Sequence, residues 1–128
     1  MEPDKATKTP HSEMSHVTGL LFNAAYRGEY QDIPSILATK VDVNSRHSQG
    51  RTPLMIAANE GQTSCVHVLI EAKADVELKD AHGLTPLMLA AKDGYTDILK
   101  LLIAAKARID AREDHGGTAL MVATFSGH

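Results

Sequence analysis

Tryptophan is absent from this 128-residue sequence, and three Tyr and two Phe are all the aromatics it has. A base-stacking nucleic-acid module or an aromatic-rich barrel needs more. The single cysteine, Cys65, excludes an intramolecular disulfide framework and a multi-cysteine zinc site. No run approaches the ~20 apolar residues of a membrane-spanning helix, so membrane insertion is not expected. The first residues hold Glu2 and Asp4 and no apolar core, which fits neither a secretory signal nor a transit peptide. A reducing compartment, cytoplasmic or nuclear, is therefore the expected location. The formal net charge of -3 argues against a generally basic nucleic-acid-binding domain. Composition is otherwise ordinary, 43% hydrophobic and 23% charged, which excludes wholesale disorder and suits one globular domain.

What is present is a repeat. Gly50-Arg-Thr-Pro-Leu-Met-Ile-Ala-Ala-Asn-Glu-Gly61 returns as Gly83-Leu-Thr-Pro-Leu-Met-Leu-Ala-Ala-Lys-Asp-Gly94, and again as Gly116-Gly-Thr-Ala-Leu-Met-Val-Ala-Thr-Phe-Ser-Gly127. Thr52, Thr85 and Thr118 anchor the register, each step being 33 residues without a gap. One step earlier, Ala24, Ala25 and Gly28 hold the same positions. The later halves agree as well: Ile36-Leu37, Leu69-Ile70 and Leu102-Ile103 are one step apart, as are Val43, Val76 and Ile109. A period of this length is the signature of a solenoid.

Each unit reads as two helices and an extended turn. Thr85 is a natural N-cap and Pro86 fills the first helical position, where a missing N–H costs nothing. A first helix follows, with paired alanines that permit close approach, and Gly94 ends it. Ile98, Leu99, Leu102 and Ile103 then form an apolar stripe at helical spacing. Residues 107–116 alternate weakly and turn at Gly116, which predicts a hairpin-like finger.

These residues resemble the ankyrin repeat, whose pattern contains Gly-x-Thr-Pro-Leu-His-x-Ala-Ala-x-x-Gly. The resemblance covers residues 17–128 and implies an all-α solenoid of stacked helix-turn-helix units, L-shaped in cross-section, that binds partner proteins without catalysis. Residues 17–49 form a cap-like first repeat, 50–82 and 83–115 are complete, and 116–128 are the first half of a fourth. That last boundary predicts a fragment of a longer scaffold or regulatory protein, with an apolar C-terminal end prone to self-association. Residues 1–16 are polar and aperiodic, and are expected to be a disordered tail.

Two departures from the family pattern carry physical content. Met55, Met88 and Met121 replace the usual His, so packing takes the place of a hydrogen bond to the Thr hydroxyl. Lys40, Lys73 and Lys106 stand where the family usually has Gly after the second helix. If the backbone there stays left-handed, both Lys73 and Lys106 have positive φ, at a cost of roughly 1 kcal/mol each relative to Gly. Pro34 requires the second helix of the first unit to begin beside it.

No catalytic constellation emerges. Cys65 and His67 are two residues apart, on different faces of a helix, and Cys65 shares the repeat position of Ile98, so a buried core thiol is expected. None of the seven histidines forms a metal motif. His82 and His115 share a finger-tip position beside Asp80 and Asp114; solvated turn residues are the plain reading, a partner contact the sharper one and a bridging metal the third. Asp80, Glu113 and Asp114 are expected in solvated turns that offer no burial for acid–base chemistry. No phosphate loop is present, and no cofactor or metal is assigned.

The resemblance places finger tips and the exposed ends of the first helices on one concave face. That surface collects Tyr26, Arg27, Arg46, Gln49, Arg51, Asn59 and Glu60 from the first half. Lys79, His82, Leu84, Lys92, Asp93, Arg112, His115 and Phe125 extend it, with Ser48, Ala81 and Asp114 between them. Arg46, Lys79 and Arg112 share one repeat position and form a basic column, read either as a solvated face or as a contact surface. Tyr26, Leu84 and Phe125 beside it favour protein recognition. The rival readings are a regulatory domain of a larger enzyme and a phosphate or nucleic-acid contact through the column.

Overall fold

The computed structural model of the chain describes residues 10–125 and 127. Among them are seven α-helices and no strand: α1 (Pro10–Arg27), α2 (Ile33–Leu37), α3 (Pro53–Asn59), α4 (Thr63–Glu71), α5 (Pro86–Lys92), α6 (Thr96–Ala104) and α7 (Ala119–Phe125). Single 3-10 turns cover Tyr30–Asp32 and Ser48–Gly50. α1 begins at Pro10, so residues 10–16, expected in a mobile tail, are the opening turns of this helix, and residues 1–9 lie outside the described residues.

The local chemistry read from the sequence sets the helix ends. Thr52 and Thr85 accept from the backbone N–H of Met55 and Met88, both at 3.3 Å, and Thr118 accepts from Met121 at 3.4 Å. Pro53 and Pro86 sit in the first turns of α3 and α5, and Pro34 in the first turn of α2. Lys40, Lys73 and Lys106 have φ of 71°, 72° and 73°, the left-handed backbone expected of a glycine position. The bonding around them accounts for it. Lys73 N donates to Ile70 O at 3.0 Å while Ala74 N donates to Leu69 O at 3.0 Å, and Lys106 and Ala107 repeat the pair on Ile103 and Leu102. This nested pair closes a helix only when the intervening residue turns left-handed.

Units stack through one continuous core. α3 packs on α1, α5 on α3 and α7 on α5, while α4 lies against α1, α2 and α3, and α6 against α4 and α5. Leu54, Leu69, Ile98 and Leu102 are fully buried, as are Cys65 and Met55. Met55 and Met88 fill the space of the missing His by packing, as expected. Met121 does not: it is 51% exposed on α7.

The fingers close as tight loops. His47, Asp80 and Glu113 each donate a backbone N–H to the carbonyl four residues on, at 2.7, 2.9 and 2.8 Å. Successive fingers are joined by Ala81 N to Gln49 O (2.9 Å) and Asp114 N to His82 O (3.1 Å). Gly83 is required here, since a Cβ at that residue would lie 2.8 Å from Asp114 N.

Candidate interaction surface

A finger and two helix ends enclose a pocket of about 230 Å³ lined by Tyr26, His47, Gln49, Arg51, Ile56, Asn59 and Glu60. Five of these were expected at the surface from sequence, and they come from three separate elements: the end of α1, the first finger and the end of α3. Tyr26 is 58% exposed, and its carbonyl accepts from Gln62 Nε2 at 3.0 Å, which ties the end of α1 to the second unit. Asn59 Nδ2 donates to Glu60 Oε2 at 3.1 Å, leaving Asn59 Oδ1 buried without a hydrogen-bond partner in the protein. His47 and Ile56 were not assigned to this surface. The His47 ring packs tilted against Phe22, with 4.8 Å between ring centroids. It occupies the repeat position of Asp80 and Glu113, and that departure was the available signal.

Arg27 does not join this group. It lines a separate hollow of about 380 Å³ with Leu20, Glu29 and Asp32. Lys79, His82, Asp93, Arg112 and His115 are exposed along the later units, with Leu84 and Lys92 half-buried. The side chains of Phe125 and Ser48 lie outside the described residues.

The basic column has an internal role. Arg46 Nη1 donates to Gly50 O at 2.8 Å and to Lys79 O at 2.6 Å. Lys79 Nζ donates to Arg112 O at 2.9 Å, and Arg112 Nη1 to Gly116 O at 2.7 Å. Each side chain therefore caps carbonyls of its own finger or the next one, with its charge still facing solvent.

Asp80 corrects the expectation of a solvated turn. It is 7% exposed, and Oδ1 accepts from the N–H of His82 (2.8 Å) and Leu84 (3.0 Å), while Oδ2 meets Arg51 Nε at 3.3 Å. The carboxylate is consumed in organising the finger. Glu113, at the same position, accepts from Gly117 N at 2.6 Å. That backbone bond holds its carboxyl below the usual glutamate value, with a further N–H and the charge of His115 acting in the same direction and desolvation opposing them.

Cys65 is fully buried, and its thiol donates weakly to Ala24 O at 3.5 Å. Burial pushes its pKa up to about 11, aided by the charge of Glu29. A nucleophilic cysteine needs the opposite environment. Among the described residues no group of three or more His, Cys, Asp or Glu is arranged to hold a metal ion, and no helix is long and apolar enough to cross a membrane.

A family model described as ankyrin repeats in three copies matches residues 21–113 and again 73–128.

The chain belongs to the ankyrin-repeat family.

No curated protein matches it at significant similarity. Ankyrin repeats are generally protein–protein interaction modules and typically not enzymes. The family's binding surfaces are grafted on a shared frame, so what distinguishes this ankyrin domain is the set of side chains between the repeated anchors.

Proposed function

We propose that this ankyrin domain is a non-catalytic recognition module that binds a partner protein on its concave face. The pocket between the first finger and the ends of α1 and α3 carries this reading. Seven residues from three elements line it, with an exposed aromatic residue and a buried acceptor that lacks an internal partner. Exposed aromatics beside arginine are the usual anchors of such interfaces. A phosphate or nucleic-acid contact is disfavoured, because the net charge is -3 and each side chain of the basic column already bonds a finger carbonyl. A lone buried thiol is compatible with the reducing cytoplasm or nucleus as the working compartment.

The reading is tested by capturing binding proteins on the immobilised chain and quantifying them against variants. Tyr26→Ala and Leu84→Asp should reduce capture at least ~10-fold, as expected for anchor residues. Lys100→Ala, an exposed change on α6, should not. Replacing Arg46, Lys79 and Arg112 together by Ala should weaken capture as well. Binders that ignore all the concave-face variants and respond to Lys100→Ala would place recognition elsewhere.

A further inference from the structure

The pocket of about 230 Å³ between the first finger and the ends of α1 and α3 is built by two adjacent units. Tyr26 and Gln49 come from the first, and Arg51, Ile56, Asn59 and Glu60 from the second. Both stacking neighbours are already in place around it, so a further repeat at either end of the stack leaves it open. Its size selects the occupant. Drug-sized ligands fill clefts of ~300–1,000 Å³, so this smaller pocket suits a single long side chain rather than a helix or a cofactor.

Charge selects further. Arg51 and Glu60 carry the formal charges of the lining. Arg51 Nε lies 3.3 Å from Asp80 Oδ2, on a side chain that is 0% exposed and that also accepts from the N–H groups of His82 and Leu84. The Arg51 charge is thus matched by a fixed, buried carboxylate. Glu60 has no such counterpart. Its Oε2 accepts from Asn59 Nδ2 at 3.1 Å, and it makes no ion pair among the described residues. Asn59 Oδ1 in turn is buried without a donor. The pocket therefore combines an uncompensated negative charge, an unfilled acceptor and the exposed Tyr26. A cation suits all three. One unit on, the register puts Lys92 at the position of Asn59 and Asp93 at that of Glu60, so the second boundary carries its own cation beside its acid.

We propose that this pocket, taken as part of the recognition surface proposed above, accepts an arginine side chain of the partner protein. The guanidinium plane stacks on the Tyr26 ring, its N–H groups donate to the Glu60 carboxylate and to Asn59 Oδ1, and its methylene stem lies along Ile56. Arginine suits the pocket better than lysine. A planar fork of N–H groups stacks and serves two acceptors at once, whereas an ammonium is a point charge that holds its water more tightly. An acidic side chain is a poor occupant, because Asp80 already neutralises Arg51 and Glu60 repels it from within the same pocket.

The probe is the peptide acetyl-Gly-Ser-Arg-Ser-Gly-amide, titrated into the isotope-labelled 128-residue protein beside versions with citrulline, lysine or glutamate at the centre. The arginine peptide should bind saturably, with Kd on the order of 1–10 mM for a single side chain, and shift the amides of Gln49, Asn59 and Glu60. Citrulline keeps the shape and loses the charge, and should bind at least ~5-fold more weakly; Glu60→Gln should weaken the arginine peptide by a similar factor. Lysine at the centre, and Tyr26→Leu in the protein, should each cost roughly 3-fold. Neither Tyr26 nor Glu60 is buried, so the circular dichroism of each variant should match the parent. The proposal is overturned by shifts that do not saturate, by a citrulline, lysine or glutamate peptide that binds as well as the arginine one, or by a Glu60→Gln variant that binds unchanged. Partner capture separates it from the recognition reading. If capture falls with Tyr26→Ala and Leu84→Asp while the arginine peptide does not bind, the pocket chemistry is wrong and the recognition module stands. If capture ignores the concave-face variants while the arginine peptide binds as expected, the pocket chemistry stands and the recognition reading is wrong.

Discussion

The left-handed lysines give the sharpest quantitative expectation. Lys73 and Lys106 terminate α4 and α6 with φ of 72° and 73°, and both are exposed, so neither side chain offsets its backbone by packing. A non-glycine residue held there costs ~1–2 kcal/mol. Glycine removes that strain and gives back roughly 0.5–1 kcal/mol through its freer unfolded chain. Loss of the ammonium at the helix end removes about 0.3 kcal/mol more. The balance favours glycine by roughly 0.5 kcal/mol per site. The two sites lie one unit apart and share no hydrogen bond, so the double substitution should gain about 1 kcal/mol. The measurement is urea unfolding followed by circular dichroism, in which the midpoint should rise while the slope stays constant. Lys73→Ala and Lys106→Ala are the controls, because alanine removes the charge and keeps the Cβ. They should gain nothing. If the alanine variants match the glycine variants, the backbone argument is wrong and the charge is what mattered.

Other expectations follow from burial and charge. Leu102→Ala should destabilise by roughly 2–5 kcal/mol, since the residue is fully buried, whereas Ile103→Ala, half exposed, should cost under ~1 kcal/mol; urea midpoints of the pair decide it. Glu113 has a folded pKa below its unfolded value, so its contribution is present at neutral pH and lost as pH falls below the ordinary value of 4.5. Glu113→Gln should flatten that part of the stability–pH curve and leave the alkaline part unchanged. For Cys65 the sign reverses: its folded pKa of about 11 lies above the ordinary 9.0, so stability should fall as pH rises from about 9. At pH 8 a thiol reagent should label it only as fast as the core opens, and within seconds to minutes in denaturant; fast native labelling would contradict the burial. Finally, amides of α7 should exchange faster than those of α5, because Leu120 and Met121 are exposed where Leu87 and Met88 are buried.

The repeat made much of this molecule legible before any coordinates. Thr-Pro-Leu-Met carries its own helix start, and Gly61 and Gly94 carry the stop, so α3 and α5 were local decisions of the chain. The left-handed lysines were legible too, since the 33-residue register places them after a helix whose closing hydrogen bonds admit one geometry. The pocket was half legible: Tyr26, Gln49, Arg51, Asn59 and Glu60 stood out as residues that vary between fixed anchors, but nothing local tied His47 and Ile56 to them.

What no local pattern contains is the identity of the neighbour. Arg46 and Lys79 looked free because the carbonyls of Lys79 and Arg112 that they bond belong to the next finger, which only stacking brings within reach. Asp80 looked solvated because its ion-pair partner, Arg51, lies 29 residues earlier at the other end of the same unit, and only the fold brings the two together. Leu-Met occurs three times at one repeat position, and the helix forms each time. Yet Met55 and Met88 are 0% and 1% exposed while Met121 is 51%. Helix formation is settled by hydrogen bonds within a few residues, so the sequence determined it. Burial requires a second surface on the far side, and only the tertiary structure decided which of three equivalent side chains became core and which became surface.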